Sequence, residues 1–247
     1  MTLFMKILLI LHIVAIGTFG IYGQTRIENL LTEAETNIRN SRYDIAIKKV
    51  EEALSIEPDN KQAIRSRINI YYLINDYKEA LDIVEEAIQR FPGDGSFYYQ
   101  RGLVHIGRQK FNKAIDDFNR IIDGYDNFEL YKVYLNRGVA YMNLQEDELA
   151  LEDISKSIEL NNNNASAYHS RGMLNYQHKN YEAAVDDFQQ ALLYNENNAE
   201  TNFNLGMSYF RLEEKDSACP YFHKACKEGN LNACKMVLME CAKNMPE

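Results

Sequence analysis

The chain has 247 residues, 46% of them hydrophobic, with 36 acidic against 27 basic residues for a net charge of −9 at pH 7. An acidic surface without a Lys/Arg stripe is repelled by phosphate backbones, which excludes nucleic acid as a partner and reads as a solubilising surface. Twelve Gly, four Pro and no Trp against 17 Tyr point to an all-helical chain with few tight turns and enough apolar content for a packed core.

The start of the chain, Met1–Gly23, stands apart. Lys6 precedes an apolar run from Ile7 to about Ile21, interrupted by His12, Gly17, Thr18 and Gly20. A charged start followed by a short apolar stretch has the form of a secretory signal peptide, and cleavage after Gly23 would leave Gln24 first. The alternative is an uncleaved membrane anchor, but a run of about 15 residues falls short of the ~20 that a spanning helix needs. No Cys follows the run to accept a lipid. The expectation is an exported protein, periplasmic or extracellular, with no stable membrane insertion once the leader is removed.

From there a 34-residue period governs the chain. Residues 165–198, ASAYHSRGMLNYQHKNYEAAVDDFQQALLYNENN, place small residues at Gly172, Ala184 and Ala191 and large ones at Tyr168, Tyr181 and Phe188. The same order recurs at 27–60 (Ala34, Tyr43, Ala46, Val50, Ala53, Pro58), 61–94 (Ile68, Tyr77, Ala80, Val84, Ala87, Pro92) and 95–128 (Tyr98, Gly102, Ala114, Phe118). After the two extra residues Glu129 and Leu130 it resumes at 131–164 (Tyr134, Gly138, Ala150, Ile154), then at 165–198 and 199–230 (Gly206, Ala218, Phe222, Ala225). Two helices cross closely only over a small residue, hence Gly or Ala at the eighth and twentieth positions, while large residues fill the space between units. In the first copy Glu33 and Asn37 stand where large apolar residues recur elsewhere, as suits an end cap with one side in water. Asp76 is placed to cap the second helix of its copy.

This pattern resembles the tetratricopeptide repeat, a helix–turn–helix unit that stacks into arrays. The likeness covers about residues 27–241. It implies an all-α, right-handed α-α superhelix of about six units, closed by a capping helix at 231–243, and scaffold or adaptor work rather than catalysis.

Catalytic chemistry finds little support in the residues. The five His are scattered, His12 lies in the leader, and there is neither a glycine-rich phosphate loop nor a nucleophile elbow. The acid pairs Asp116–Asp117 and Asp186–Asp187 recur at one repeat position, which favours a structural role. Arg101, Arg137 and Arg171 recur at the seventh position, and at one constant spacing after them come Asp117, Asp153 and Asp187. Three arginines could clamp an anion; the lock-step spacing instead favours a bidentate bridge between the two helices of one unit. No cofactor or metal is called for.

Cys219, Cys226, Cys234 and Cys241 are crowded at the end of a chain that has no other cysteine. Cysteines seven apart on one helix are about 10.5 Å apart along its axis, beyond the ~7 Å a disulfide spans. A bend at Gly229–Asn230 would bring two antiparallel helices together with Cys226 opposite Cys234 and Cys219 opposite Cys241. Nested pairing of those partners is expected, with a zinc site as the rival that the absence of CxxC disfavours. Disulfides agree with export. Pro220 suggests that its helix starts late, capped by Asp216. The segment ACPYFHKACKEGNLNAC resembles the cysteine-rich Sel1-like relatives of the repeat, over this last unit alone.

In the tetratricopeptide family the first helix of each unit lines the concave side. The resemblance then selects Arg65, Asn69, Tyr72, Tyr99, Asn136, Met142, His169, Met173, Tyr176, Phe203, Asn204, Met207 and Phe210 as a groove for a protein or peptide, about a third of them partly buried. Aromatic and Met side chains supply contact area, and Asn can hold a backbone amide. The family's clamp for a C-terminal carboxylate puts Lys and Asn where this chain has Leu31 and Glu35, so that clamp is not expected. A different reading is a structural subunit of a cell-envelope assembly that uses its convex or edge faces.

Overall fold

The computed structural model describes residues 23–125 and 128–241. The signal-peptide reading of Met1–Gly23 falls, Gly23 aside, outside them, as do the last two positions of the expected capping helix. The described residues contain helices and no strand, and none of their helices is long and apolar enough to cross a membrane.

Two compact units divide the chain after Lys110. The first holds α1 (23–39), α2 (Tyr43–Ile56), α3 (Lys61–Leu73), α4 (Tyr77–Arg90) and α5 (Gly95–Gly107). Ile27, Leu30, Leu31 and Ala34 of α1 meet Ala46, Val50 and Ala53 of α2 and Ala63 and Ile70 of α3 in one apolar cluster. A second cluster joins Ile64 and Ile68 to Ala80, Val84 and Ala87 and to Phe97 and Val104 of α5. Leu31 is thus a core residue, while Glu33 is exposed and Asn37 bonds back to the Glu33 carbonyl at 2.8 Å.

The second unit runs α6 (Phe111–Gly124), α7 (Leu130–Asn143), α8 (Asp147–Leu160), α9 (Ala165–Gln177), α10 (Tyr181–Tyr194), α11 (Ala199–Arg211), α12 (Lys215–Lys227) and α13 (Leu231–Met236), followed by a π-helical turn, Val237–Cys241. Of the two extra residues, Leu130 lengthens α7 by one position and Glu129 precedes it, paired with Lys132. Helices α7–α12 pack as successive hairpins. Their crossings are close: a Cβ at Gly138 would lie 2.8 Å from Ile154, one at Gly172 2.8 Å from the Phe188 ring, and one at Gly206 2.7 Å from Phe222. Those three large side chains are fully buried, so the glycines are required by the fit of helix on helix rather than by a turn. Leu238, in the π-helical turn that follows α13, is 74% exposed.

The expectation of few tight turns is wrong. Ser41, Asn75, Gln109, Gln145, Lys179 and Glu213 all sit in the left-handed region at φ 56–66°. In each turn the next residue's N–H bonds to the carbonyl five positions back, as in Asp76 N to Tyr71 O at 2.9 Å and Asn180 N to Asn175 O at 2.8 Å. This Schellman closure satisfies the orphan carbonyls of the first helix. It is made without glycine because hydrogen bonds and packing on both sides outweigh the ~1–2 kcal/mol of left-handed strain. Asn at the opposite connection caps the next first helix: Asn60, Asn164, Asn198 and Asn230 accept from the N–H three residues on at 2.8–3.3 Å. Asp76 caps α4 by accepting from Glu79 N at 3.2 Å.

Candidate functional site

The expected groove positions lie on first helices, and the structure ties most of them down. In the first unit Arg65 donates to Ser96 Oγ at 3.3 Å, approaches Asp94 at 3.9 Å and lies over the Phe97 ring at 6.0 Å. Asp94 also takes Lys61 at 3.0 Å. Burial works against its charge, but Ser96 and Lys61 outweigh it and hold the carboxyl below its usual range. Tyr72 packs on Tyr77 with centroids 5.7 Å apart, and burial pushes its phenol up. Tyr99 is half-buried, and Asn69 is exposed.

In the second unit Asn136 folds back on the Lys132 carbonyl at 2.8 Å, and Met142 packs on the Ile154–Leu174 cluster. His169 Nδ1 is 2.8 Å from Thr201 Oγ1, with the ring tilted over Phe188 at 5.6 Å. Asn204 donates to Met173 Sδ at 3.1 Å, and Arg211 donates to the Tyr176 hydroxyl at 3.3 Å. Tyr176 meets Tyr181 edge-on at 5.4 Å. Phe203, Met207 and Phe210 lean on the cluster of Ala218, Phe222 and Cys241, and Lys215 sits over the Phe210 ring at 5.5 Å. Of the thirteen residues only Asn69 is exposed; the other twelve are half-buried. The expectation that about a third are partly buried is too low, because most of these side chains lean on their own second helix or on a neighbouring first helix. Asn136 and Asn204 also spend donors within the fold that an incoming peptide would otherwise use.

The seventh-position arginines of the second unit are framework. Arg137 Nε and Nη2 each lie 2.7 Å from the Asp153 carboxylate, and Nη1 donates to Asn119. Arg171 grips Asp187 at 2.7–3.1 Å, and Asn175 donates to the same carboxylate at 2.9 Å. Tyr134 and Tyr168 stack on the two guanidiniums at 5.4 and 5.7 Å. Burial opposes the charge on Arg137 and Asp153 more than restores it; Asp187 does the same for Arg171, so both stand above the ordinary guanidinium value. These pairs join the two helices of one repeat, so Arg137 and Arg171 are engaged within the fold.

At the end of the chain Cys219 and Cys241 are bonded with Cα atoms 5.7 Å apart, and Cys226 and Cys234 with Cα atoms 4.7 Å apart. The chain reverses at Gly229, φ 98°, which the left-handed turn requires. The late start expected for the helix of Pro220 is wrong. α12 begins at Lys215 after Glu214, without a side-chain cap, and Pro220 lies inside it. The Glu213 turn sets the start as in the other copies, and burial of Ala218, Phe222 and Ala225 offsets the one backbone hydrogen bond that Pro220 cannot give to Asp216.

Comparison with known proteins places the repeats. Family models described as tetratricopeptide repeat match residues 31–95, 131–164, 165–198 and 199–228. The chain is 32% identical over 103 residues to the Hsp70-Hsp90 organising protein of Plasmodium falciparum, which is 40% of this chain and 18% of that protein. Among solved structures, PilW, titled a widely conserved type IV pilus biogenesis factor, superposes with a TM-score of 0.74 at 17% identity, over 86% of this chain and 98% of PilW. YrrB, titled a TPR protein with an unusual peptide-binding site, gives 0.54 at 19% identity, over 79% and 98%. At these identities the structural likeness is one of fold.

Proposed function

Because the chain belongs to the tetratricopeptide-repeat family, whose members are protein-binding scaffolds, we propose that it is an exported scaffold holding a protein or peptide along its first helices. The observation that carries this reading is the strip formed by Met173, Tyr176, Phe203, Met207 and Phe210. Each is anchored on one side in a buried cluster and half-open on the other. Side chains pre-ordered in that way bind with little loss of rotamer freedom. Export is supported by the leader-like start, by the cysteine pairs and by the likeness to PilW, itself titled a pilus-biogenesis factor. The test is a crosslinked pull-down from intact cells with Ala at Tyr72, Tyr99, Tyr176 and Phe210. Loss of the partner is expected, and unchanged capture sinks the groove.

A second reading, a structural subunit working through its second helices, is favoured by Leu149, Leu151 and Leu160 of α8 and Leu193 of α10, exposed by 42–69%. Substituting Ser at these four positions would then break assembly while the groove variants do not.

A further inference from the structure

A cavity of about 150 Å³ opens between α9, the end of α10 and the start of α11. Ser166, His169 and Ser170 line it from α9, Asn195 from the end of the α10 hairpin, and Glu200 and Thr201 from α11. Three of these stand at repeat positions two, five and six, the groove positions of their copy. Among the described residues no Lys or Arg lines the cavity.

The hydrogen-bond chain at its wall settles the state of the histidine. Asn198 Oδ1 accepts the Thr201 N–H at 2.8 Å as the cap of α11, which fixes the carboxamide with its oxygen inward. The same oxygen lies 3.0 Å from Thr201 Oγ1. A carbonyl oxygen only accepts, so the threonine hydroxyl gives its one hydrogen to Asn198. Its remaining lone pairs face His169 Nδ1 at 2.8 Å. Nδ1 therefore carries the hydrogen, and in the neutral imidazole Nε2 is left as a bare acceptor. Burial holds His169 below the ordinary imidazole value, opposed by the Glu200 charge. No hydrogen bond to Nε2 is made among the described residues.

The residues that line the cavity thus carry an imidazole lone pair, a carboxylate, hydroxyls and carboxamides, with no cation among the described lining residues to balance them. That set fits a compact donor with three hydrogens and a positive charge, the reverse of a carboxylate clamp. We propose that this cavity is a subsite for a primary ammonium, the lysine head of a peptide lying along the first helices, with His169 Nε2 accepting one N–H and Glu200 balancing the charge. The subsite rests on the groove reading for its peptide, and on the cavity alone for its chemistry.

The experiment is a titration of the ¹⁵N-histidine-labelled protein with Nα-acetyl-lysine methylamide, beside the uncharged Nα-acetyl-norleucine methylamide. The His169 Nε2 resonance is expected to move saturably with the lysine amide and not with norleucine. The E200Q variant, changed at an exposed position, should bind the lysine amide about tenfold more weakly, the worth of one charge-assisted contact. Equal shifts from both amides, no shift from either, or unchanged affinity in E200Q would overturn the subsite. The groove variants separate the two readings. If the lysine amide binds while those variants still capture their partner, the subsite stands and the groove fails. If the lysine amide does not bind while those variants lose their partner, the groove stands and the subsite fails.

Discussion

Replacing Arg137 by Met should cost more than replacing Arg171 by Met, although the two occupy the same repeat position. Both bridges are shielded: the Asp153 and Asp187 side chains are each 6% exposed. Removing one partner of a buried pair leaves an uncompensated charge, at a cost of about 3–5 kcal/mol. Asp153 receives its charge-assisted bonds from Arg137, and position eleven of that copy is Tyr141, which stacks on the guanidinium at 5.9 Å. In the next copy position eleven is Asn175, which still donates to Asp187 when Arg171 is gone. One retained bond to a charged group is worth about 1.5–3 kcal/mol. R137M should therefore lose about 3–5 kcal/mol and R171M about 1.5–3 kcal/mol less, measured by urea unfolding followed by circular dichroism. The double variant R137M/D153L should recover most of the loss, because no charge is left buried. Equal losses for the two single variants, or no recovery in the double, would refute the reasoning.

Three further outcomes follow from the same geometry. G172A gains about 1 kcal/mol of helix propensity but sets a methyl 2.8 Å from the buried Phe188 ring; overpacking of about 1–3 kcal/mol should win, and F188L should relieve it in a thermal melt. His169 is held below its ordinary value of about 6.5, so the unfolded chain takes the proton first and stability should fall as pH drops through about 6.5 toward the folded value; urea midpoints at pH 7.5 and 5.5 should differ less in H169Q. C219S/C241S opens a loop of 22 residues and should lose about 3 kcal/mol, with hydrogen exchange rising in α13 and the π-helical turn while α1–α5 stay protected.

The helices were legible because their period is written in residues that packing leaves no choice about. The twentieth position is Ala46, Ala80, Ala114, Ala150, Ala184 and Ala218, every one fully buried, and only a small side chain fits at that crossing. The nested order of the cysteines could be read for a similar reason: one bend and a fixed rise leave few partners in reach. The turns were not legible, since the left-handed residue is Ser, Asn, Gln, Lys or Glu and the usual glycine signal is missing. Nor was the burial of the groove side chains, which depends on the unit that follows and not on local spacing. The start of α12 was misread because Pro220 is a strong local signal that tertiary packing overrides. The cavity beside His169 had no motif at all; its one trace was a lone His at a position where the other copies carry something else.

That last contrast separates framework from recognition. At position twenty the chain repeats Ala in every copy because two helices must cross, and at position seven Arg137 and Arg171 repeat because two charges must meet. At position five it does not: the second, third, fourth, fifth and sixth copies carry Arg65, Tyr99, Leu135, His169 and Phe203. All five are half-buried, so packing supports each without dictating its chemistry. In the second unit a ligand passing Leu135, His169 and Phe203 would meet an aliphatic contact, a hydrogen-bond acceptor and an aromatic face in that order. Three unlike contacts in a fixed sequence select both a side-chain order and a chain direction, whereas a surface built from identical copies would accept any register. Discrimination then needs no strong contact at any one position. Each mismatch has only to leave a polar group unpaired or an apolar one uncovered, and those costs add along the strip.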